Sequence, residues 1–328
     1  MEDRECKLTR CLAYLVWETY NNPDQRVANV YTKPGAEFIK NKLRQPPGLS
    51  LFFLAVDGDK IRQDVKGIVP VVPQKSRAYD GEQLQIYNGV TTVAITTQGD
   101  ATKKLPVGIL LQLQFGSALK KKSGVSSKLA SMSAYVVGKE NVSGIDTYKV
   151  QADYKIDEEE GVIYTWWIAP ERSYLVIKSE IKAAHEEPQS SLVSYRKVDV
   201  VDTIQKEAGI WIPMETRTLM YVTPRDGKEL CESVYKWSVL SIQLNSKVSP
   251  ELFKVALPPE TKIAVDEGLS VSTVEGNLET FTSELKDARK AGQQPDFDSF
   301  DLKSLEGRLA EGFNAQNTSD QPLLSKVE

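Results

Sequence analysis

The sequence predicts a mainly β fold of the α+β class, laid out as an antiparallel meander with helical segments beside it. Three observations carry this. Short β-rich runs separated by turn signals fill residues 27–257. Two of the turns, Asp57-Gly58 and Asn88-Gly89, are the dipeptides that tight hairpins favour. Helical patterns do not alternate with these runs, as βαβ units would require.

Taken in chain order, residues 5–20 place Leu8, Cys11, Leu12, Leu15, Val16 and Thr19 at helical spacing, and Asn21, Asn22 and Pro23 end the pattern. This reads as an amphipathic helix packed on the sheet. Residues 49–56 and 60–65 form a first hairpin, and residues 83–87 and 90–97 a second. Residues 106–122 carry Val107, Leu110, Leu111, Leu113 and Phe115 before a triple lysine; they read as an inserted helix, although the alternation of Leu111, Leu113 and Phe115 also fits a strand. Further strands fall at residues 132–137, 147–154, 162–168, 174–181, 191–201, 211–221 and 232–244. Beyond Leu257 a short strand at 262–265 precedes a solvated helix at 277–290, and residues 293–328 read as a polar, mobile tail.

The strands differ in which faces they bury. In residues 174–181, Leu175, Ile177 and Ile181 point one way and Lys178 and Glu180 the other. Residues 51–56 and 162–168 are apolar on both faces, with Trp166 and Trp167 on opposite sides of one strand. Such a sheet is either covered on both faces, as in a sandwich, or wraps an apolar interior.

Composition narrows the function classes. The chain has 328 residues, 41 basic and 45 acidic, for a net charge of -4, which argues against nucleic acid as a partner. No run approaches the roughly 20 apolar residues of a helical membrane span. Cys6, Cys11 and Cys231 form no C-x-x-C pair, so neither a disulfide framework nor a cysteine zinc site is encoded. Glycine motifs for phosphates or dinucleotides are absent, and no cofactor is expected. His185, the single histidine, sits in a charged turn and reads as an exposed loop residue. Asp157, Glu158, Glu159 and Glu160 lack the spacing of a calcium loop and read as a hairpin tip. Glu2, Asp3 and Glu5 stand where a secretory signal carries bases, so the chain taken literally stays inside the cell, while a trimmed or mis-started version of an exported protein fits equally.

The order of motifs resembles the outer-membrane lipoprotein carrier superfamily, the LolA/LolB-like proteins and their sigma-factor-regulating and mycobacterial lipid-binding relatives. The residues concerned are Tyr79-Asp80-Gly81-Glu82-Gln83-Leu84-Gln85-Ile86-Tyr87; the strand pair from Val136-Val137-Gly138 to Asp146-Thr147-Tyr148; and Tyr164-Thr165-Trp166-Trp167-Ile168-Ala169-Pro170-Glu171-Arg172. The closing segment matches at Asn245, Val248, Phe253, Leu257-Pro258-Pro259-Glu260-Thr261 and Val265-Asp266, with Glu260 in place of the usual glycine. The resemblance covers residues 8–267. It implies an unclosed antiparallel half-barrel wrapped around an apolar cavity, with a helical lid, spanning residues 1–267, followed by a helix at 268–292 and the tail at 293–328.

That fold implies a non-enzymatic role in the bacterial envelope, binding or carrying lipoproteins, acyl chains or other hydrophobic ligands, and a periplasmic location. Its partners would be a lipid, a lipid-modified protein or an envelope protein. The expected cavity wall comprises Phe52, Leu54, Trp166, Trp167 and Ile177. The alternative is a regulatory module of the same fold with a filled core, binding a partner protein through a sheet edge or loop.

Overall fold

A computed structural model of the chain describes residues 10–22, 41, 45–58, 60–81, 84–87, 92–96, 132–155, 161–184, 192–225, 227–255, 262–266, 271–272 and 295–318. Among the described residues fifteen strands follow one another: β1 (Arg10–Asn21), β2 (Gly48–Asp57), β3 (Lys60–Val69), β4 (Val72–Tyr79), β5 (Leu84–Tyr87), β6 (Thr92–Thr96), β7 (Tyr135–Val142), β8 (Ile145–Lys155), β9 (Gly161–Ala169), β10 (Leu175–Ala184), β11 (Leu192–Glu207), β12 (Ile210–Pro224), β13 (Leu230–Leu244), β14 (Lys262–Asp266) and β15 (Val271–Ser272). All belong to one sheet, in the order β15-β14-β6-β5-β4-β3-β2-β1-β13-β12-β11-β10-β9-β8-β7. Its two edges, β15 and β7, do not pair, so the sheet is not closed into a barrel.

Neighbours are antiparallel except β6 and β14, which run parallel with Ala94 opposite Ala264. The hairpins follow from their turns. Ser143-Gly144 and Ala208-Gly209 each hold two consecutive residues at positive φ between Val142 and Ile145 and between Glu207 and Ile210, the geometry of type I′ turns. The expected hairpins at residues 49–65 and 83–97 are present as β2/β3 and β5/β6. The helices expected at residues 106–122 and 277–290, the hairpin tip at Asp157–Glu160 and the loop at His185 lie outside the described residues.

The segment expected to form the first helix is instead β1, a central strand between β2 and β13. Its alternation is concealed because both faces are apolar. Cys11, Ala13 and Leu15 bury on one face with Phe52, Leu54 and Val56, while Val16 and Tyr20 bury on the other with Leu49, Leu51 and Phe53. An apolar residue at nearly every position satisfies helical spacing as readily as strand spacing, and the aromatic and β-branched content of Tyr14, Val16, Trp17, Thr19 and Tyr20 is the discriminating signal.

The second face is covered from two directions. After β13 the chain passes beneath the sheet through a short 3-10 turn, Pro250–Phe253, whose Phe253 is fully buried. Arg62 on β3 grips this passage, its Nη1 donating to the carbonyls of Leu252 and Lys254, both at 3.0 Å. Gln85 on β5 accepts from the Val255 amide at 3.0 Å. Arg62 is itself paired with Asp64 through Nε to Oδ2 at 2.6 Å and Nη2 to Oδ1 at 3.1 Å, with both side chains wholly excluded from solvent. Ser76 and Gln74 on β4 donate to the same carboxylate.

The other cover comes from the C-terminal segment read as a mobile tail, which instead docks. Helix α1 (Leu302–Thr318) is capped by Asp301, whose Oδ1 accepts from the Ser304 amide at 3.1 Å. Phe297, Leu305 and Leu309 are buried against β1 and β2. Tyr14 packs between Phe53, Phe297 and Phe300, and its hydroxyl accepts from the Asp296 amide at 3.1 Å. Arg308 reaches Glu18, which also accepts from the Tyr20 hydroxyl. Average polarity suggested a tail; four well-spaced apolar side chains and a cap decide otherwise.

Two measurements test this packing. Arg62→Ala leaves Asp64 buried without its cation and frees two carbonyls, so urea unfolding is expected to show a loss of about 3–5 kcal/mol; a loss below about 1 kcal/mol would show that the grip is dispensable. Burial pushes the Cys11 and Cys231 thiols up to about 12 from 9.0. At pH 8 only about one part in ten thousand of either is then thiolate. A raised folded value means that their stabilising contribution is complete below pH 9.0 and is lost as pH climbs towards about 12. Thiol labelling at pH 8 is expected to spare both cysteines until urea unfolds the chain; native-state labelling of either at the unfolded rate contradicts this.

Candidate ligand-binding groove

Registry across five strands builds the site on the face opposite α1. Trp17 on β1 lies directly across from Trp237 on β13 and Ser50 on β2, and Trp237 from Thr216 on β12. One step along, Thr19 faces Tyr235, Tyr235 faces Thr218, and Thr218 faces Asp199 on β11. The cross-strand rows place four aromatic rings together. Trp17 stacks on Trp237 at 5.4 Å and 8° and on Tyr235 at 5.9 Å and 26°, while Phe52 tilts against Trp237 at 5.0 Å. Aromatic pairs opposite one another contribute about 0.5–1.5 kcal/mol each beyond their burial, which holds this row in register.

Beside the aromatic row lies a groove of about 770 Å³. Trp17, Tyr235, Trp237 and Met220 form its floor, and Pro46, Val69 and Pro70 its far wall. At the near end stand Thr218 and Lys197. Lys197 Nζ donates to Asp199 Oδ2 at 3.0 Å, and the same carboxylate accepts from Ser179 Oγ at 3.0 Å and Thr218 Oγ1 at 2.6 Å. Tyr195 directs its hydroxyl to the Met220 sulfur at 3.1 Å, and burial pushes that phenol up to about 12. Deeper in, the Trp17 indole N–H is buried without an acceptor among the described residues.

The five expected wall residues are not brought together. Phe52 and Leu54 lie on the groove's face but inside the packed cluster behind it, with Leu15, Ile61 and Ile212. Trp166 also lies on that face, stacked on Tyr164 at 5.7 Å in a separate cluster with Val150 and Ile168. Ile177 packs with Ala169 and Leu175 in a third. Trp167 occupies the opposite face, as the alternation required. Its indole N–H donates to Glu140 Oε2 at 2.6 Å, and Lys178 and Lys149 sit over its ring at 4.6 and 5.3 Å. That N–H, with Lys149, holds the Glu140 carboxyl below its usual value. None of the five lines the groove.

The residues that do line it were legible in part. Tyr235 and Trp237 alternate along a strand that the sequence reading placed at residues 232–244. Trp17 was hidden by the helical reading of its segment. Lys197 and Met220 have no sequence signal, because their proximity depends on the pairing of β11 with β12.

The arrangement is suited to holding an apolar body with a polar end. Among the described residues no cluster of His, Cys, Asp and Glu is placed to hold a metal ion, and no helix is long and apolar enough to cross a membrane.

No protein-family model and no curated protein matches the chain. Solved structures similar to it include a DUF1329 family protein from Desulfovibrio piger, at 11% identity and TM-score 0.41, covering 77% of this chain and 92% of that one. A putative outer membrane lipoprotein-sorting protein domain from Vibrio parahaemolyticus is similar at 10% identity and TM-score 0.40, covering 77% and 93%. Lipoprotein LppX of Mycobacterium tuberculosis is similar at 10% identity and TM-score 0.27, covering 76% and 92%.

The aromatic row supplies its own test. Trp237→Ala removes the ring that Trp17 and Phe52 both touch, and urea unfolding is expected to register about 3–5 kcal/mol of destabilisation. A cost under about 1 kcal/mol would mean that the row does not hold the strands in register.

Proposed function

We propose that the protein is a non-enzymatic binder of hydrophobic ligands, which shelters an acyl chain or the apolar part of a lipid-modified protein in the groove and acts in the bacterial envelope. The observation that carries this reading is the groove itself, about 770 Å³ of space floored by Trp17, Tyr235, Trp237 and Met220. Its size falls in the range of pockets that hold a single small molecule. Each methylene moved from water onto such a floor gains about 0.8 kcal/mol, so part of one acyl chain suffices for useful affinity. No bond need be made or broken for that role. Placement in the envelope rests on the motif resemblance, and the sorting and carrying of lipoproteins is the expectation attached to it.

A second reading is favoured by a different observation. Among the described residues β7 pairs with β8 alone, and it presents Val136, 60% exposed, between Tyr135 and Val137, each about half exposed. An unpaired, apolar edge of this kind suits strand addition by a partner protein. Under that reading the densely packed cluster around Phe52 and Leu54 is the filled core of an interaction module.

Displacement of a fluorescent fatty acid discriminates between them. Saturable binding is expected, weakened at least about tenfold by Trp237→Glu, since a carboxylate placed on the apolar floor must lose its hydration when the ligand enters. Trp166→Ala, outside the groove, is expected to leave affinity within about twofold. Wild-type protein that shows no saturable binding would rule out the carrier reading and leave the edge-strand reading standing.

A further inference from the structure

We infer that the groove's ligand is a single-chain amphiphile with an anionic head, and that Lys197 selects for that head. This rests on the groove reading above and specifies its ligand. The first observation is the charge of the wall. Among the described residues lining the groove, Lys197 is the one charged side chain, and no carboxylate joins it. Asp199, its ion-pair partner, is not part of the wall. The ammonium therefore stands between the carboxylate and the groove.

The second observation concerns donors. An ammonium has three N–H groups. One is used at Asp199, and the Lys197 side chain, only 15% exposed, has no other acceptor among the described residues. Asp199 meanwhile receives the Ser179 and Thr218 hydroxyls, so its lone pairs do not depend on Lys197 alone. The result is an asymmetric pair, with an anion that keeps two hydroxyl donors behind and a cation at the groove wall in front. An anionic oxygen arriving with the ligand gives the remaining N–H groups a charged acceptor. Charge-assisted hydrogen bonds of this kind are roughly twice as strong as neutral ones.

The third observation is position. The groove runs across the strands from Lys197 on β11, past Met220 on β12 and Tyr235 on β13, to Val69 and Pro70 at the end of β3. In the sheet order that path makes five inter-strand steps, about 24 Å at the usual spacing. The cation is at one end, and the rest of the lining is uncharged, its aromatic and aliphatic residues interspersed with Thr19, Asn21, Gln45 and Ser50. Such a trough fits a long molecule charged at one terminus; it does not fit a polyanion, which would need cations along its length. A carboxylate and a phosphate head share the chemistry that Lys197 offers.

Competition against the uncharged dye N-phenylnaphthylamine separates the head from the tail. The competitors are a long-chain fatty acid, the alcohol of the same chain length and the corresponding alkyl phosphate. The anionic compounds are expected to displace the dye about tenfold better than the alcohol. Lys197→Met is expected to reduce them to parity with the alcohol while leaving the alcohol unchanged, and Lys197→Arg to keep the preference. Because Lys197→Met strands Asp199, the charge-neutral double variant Lys197→Met with Asp199→Asn serves as the folded control and is expected to behave the same way. Preference for the acid alone or the phosphate alone, lost in these variants, upholds the inference and names the head. Equal displacement by acid and alcohol in the unaltered protein, or a preference that survives in both Met variants, overturns it and leaves the groove reading intact. Failure of the dye and all three compounds to bind removes the groove reading, and the inference with it.

Discussion

The buried Arg62–Asp64 pair governs the path of the chain between the two halves of the sheet. Leaving β13 in the middle, the chain has to travel past β1, β2, β3, β4, β5 and β6 before β14 can pair in parallel with the outer side of β6. A crossing of that length over an apolar face exposes backbone carbonyls to a dry environment. Arg62 satisfies two of them, at Leu252 and Lys254, and Asp64 neutralises the guanidinium that does so. Buried ion pairs seldom add stability over an apolar packing of the same volume. Here the pair does what an apolar residue cannot, by supplying fixed donors to a main-chain segment that has no ladder of its own.

Once that passage is held, the two faces of the central strands take different roles. The second face is closed by Phe253 from the crossing and by Phe297, Leu305 and Leu309 from the C-terminal segment, with Arg308 reaching the buried Glu18. Among the described residues nothing comparable covers the row of Trp17, Trp237 and Tyr235 on the first face, and the groove lies there. The same strand, β1, supplies side chains to both. Packing on one side therefore stiffens the floor on the other, and that floor is built on paired strands, where side-chain positions vary less than on loops.

Several elements were readable from local chemistry. The Asp57-Gly58 turn gives β2 and β3, and Gly144 and Gly209 supply positive φ to two-residue turns that join long antiparallel strands. The opposed placement of Trp166 and Trp167 follows from strand alternation, which depends only on backbone geometry. Their environments did not follow. Trp167 acquires Glu140, Lys149 and Lys178 from residues up to 27 positions away in sequence, and none of those contacts leaves a trace near residue 167 itself.

The chain's own residues settle its class, its turns and the two-sided apolar character of its central strands, because these depend on neighbours within a few positions. They also exclude phosphate-cradling motifs and paired histidines, since the first needs a glycine spacing and the second another histidine that the sequence lacks. Long-range pairing settles the rest. Residues 10–21 become a strand because β2 and β13 flank them, and residues 302–318 become a docked helix because β1 and β2 offer an apolar face. The groove arises where Trp17, Trp237 and Lys197, separated by up to 220 positions, meet across adjacent strands. Periodicity within a segment is blind to that partnership: a residue buried on both sides looks alike in a helix and in a central strand until the neighbours that bury it are in place.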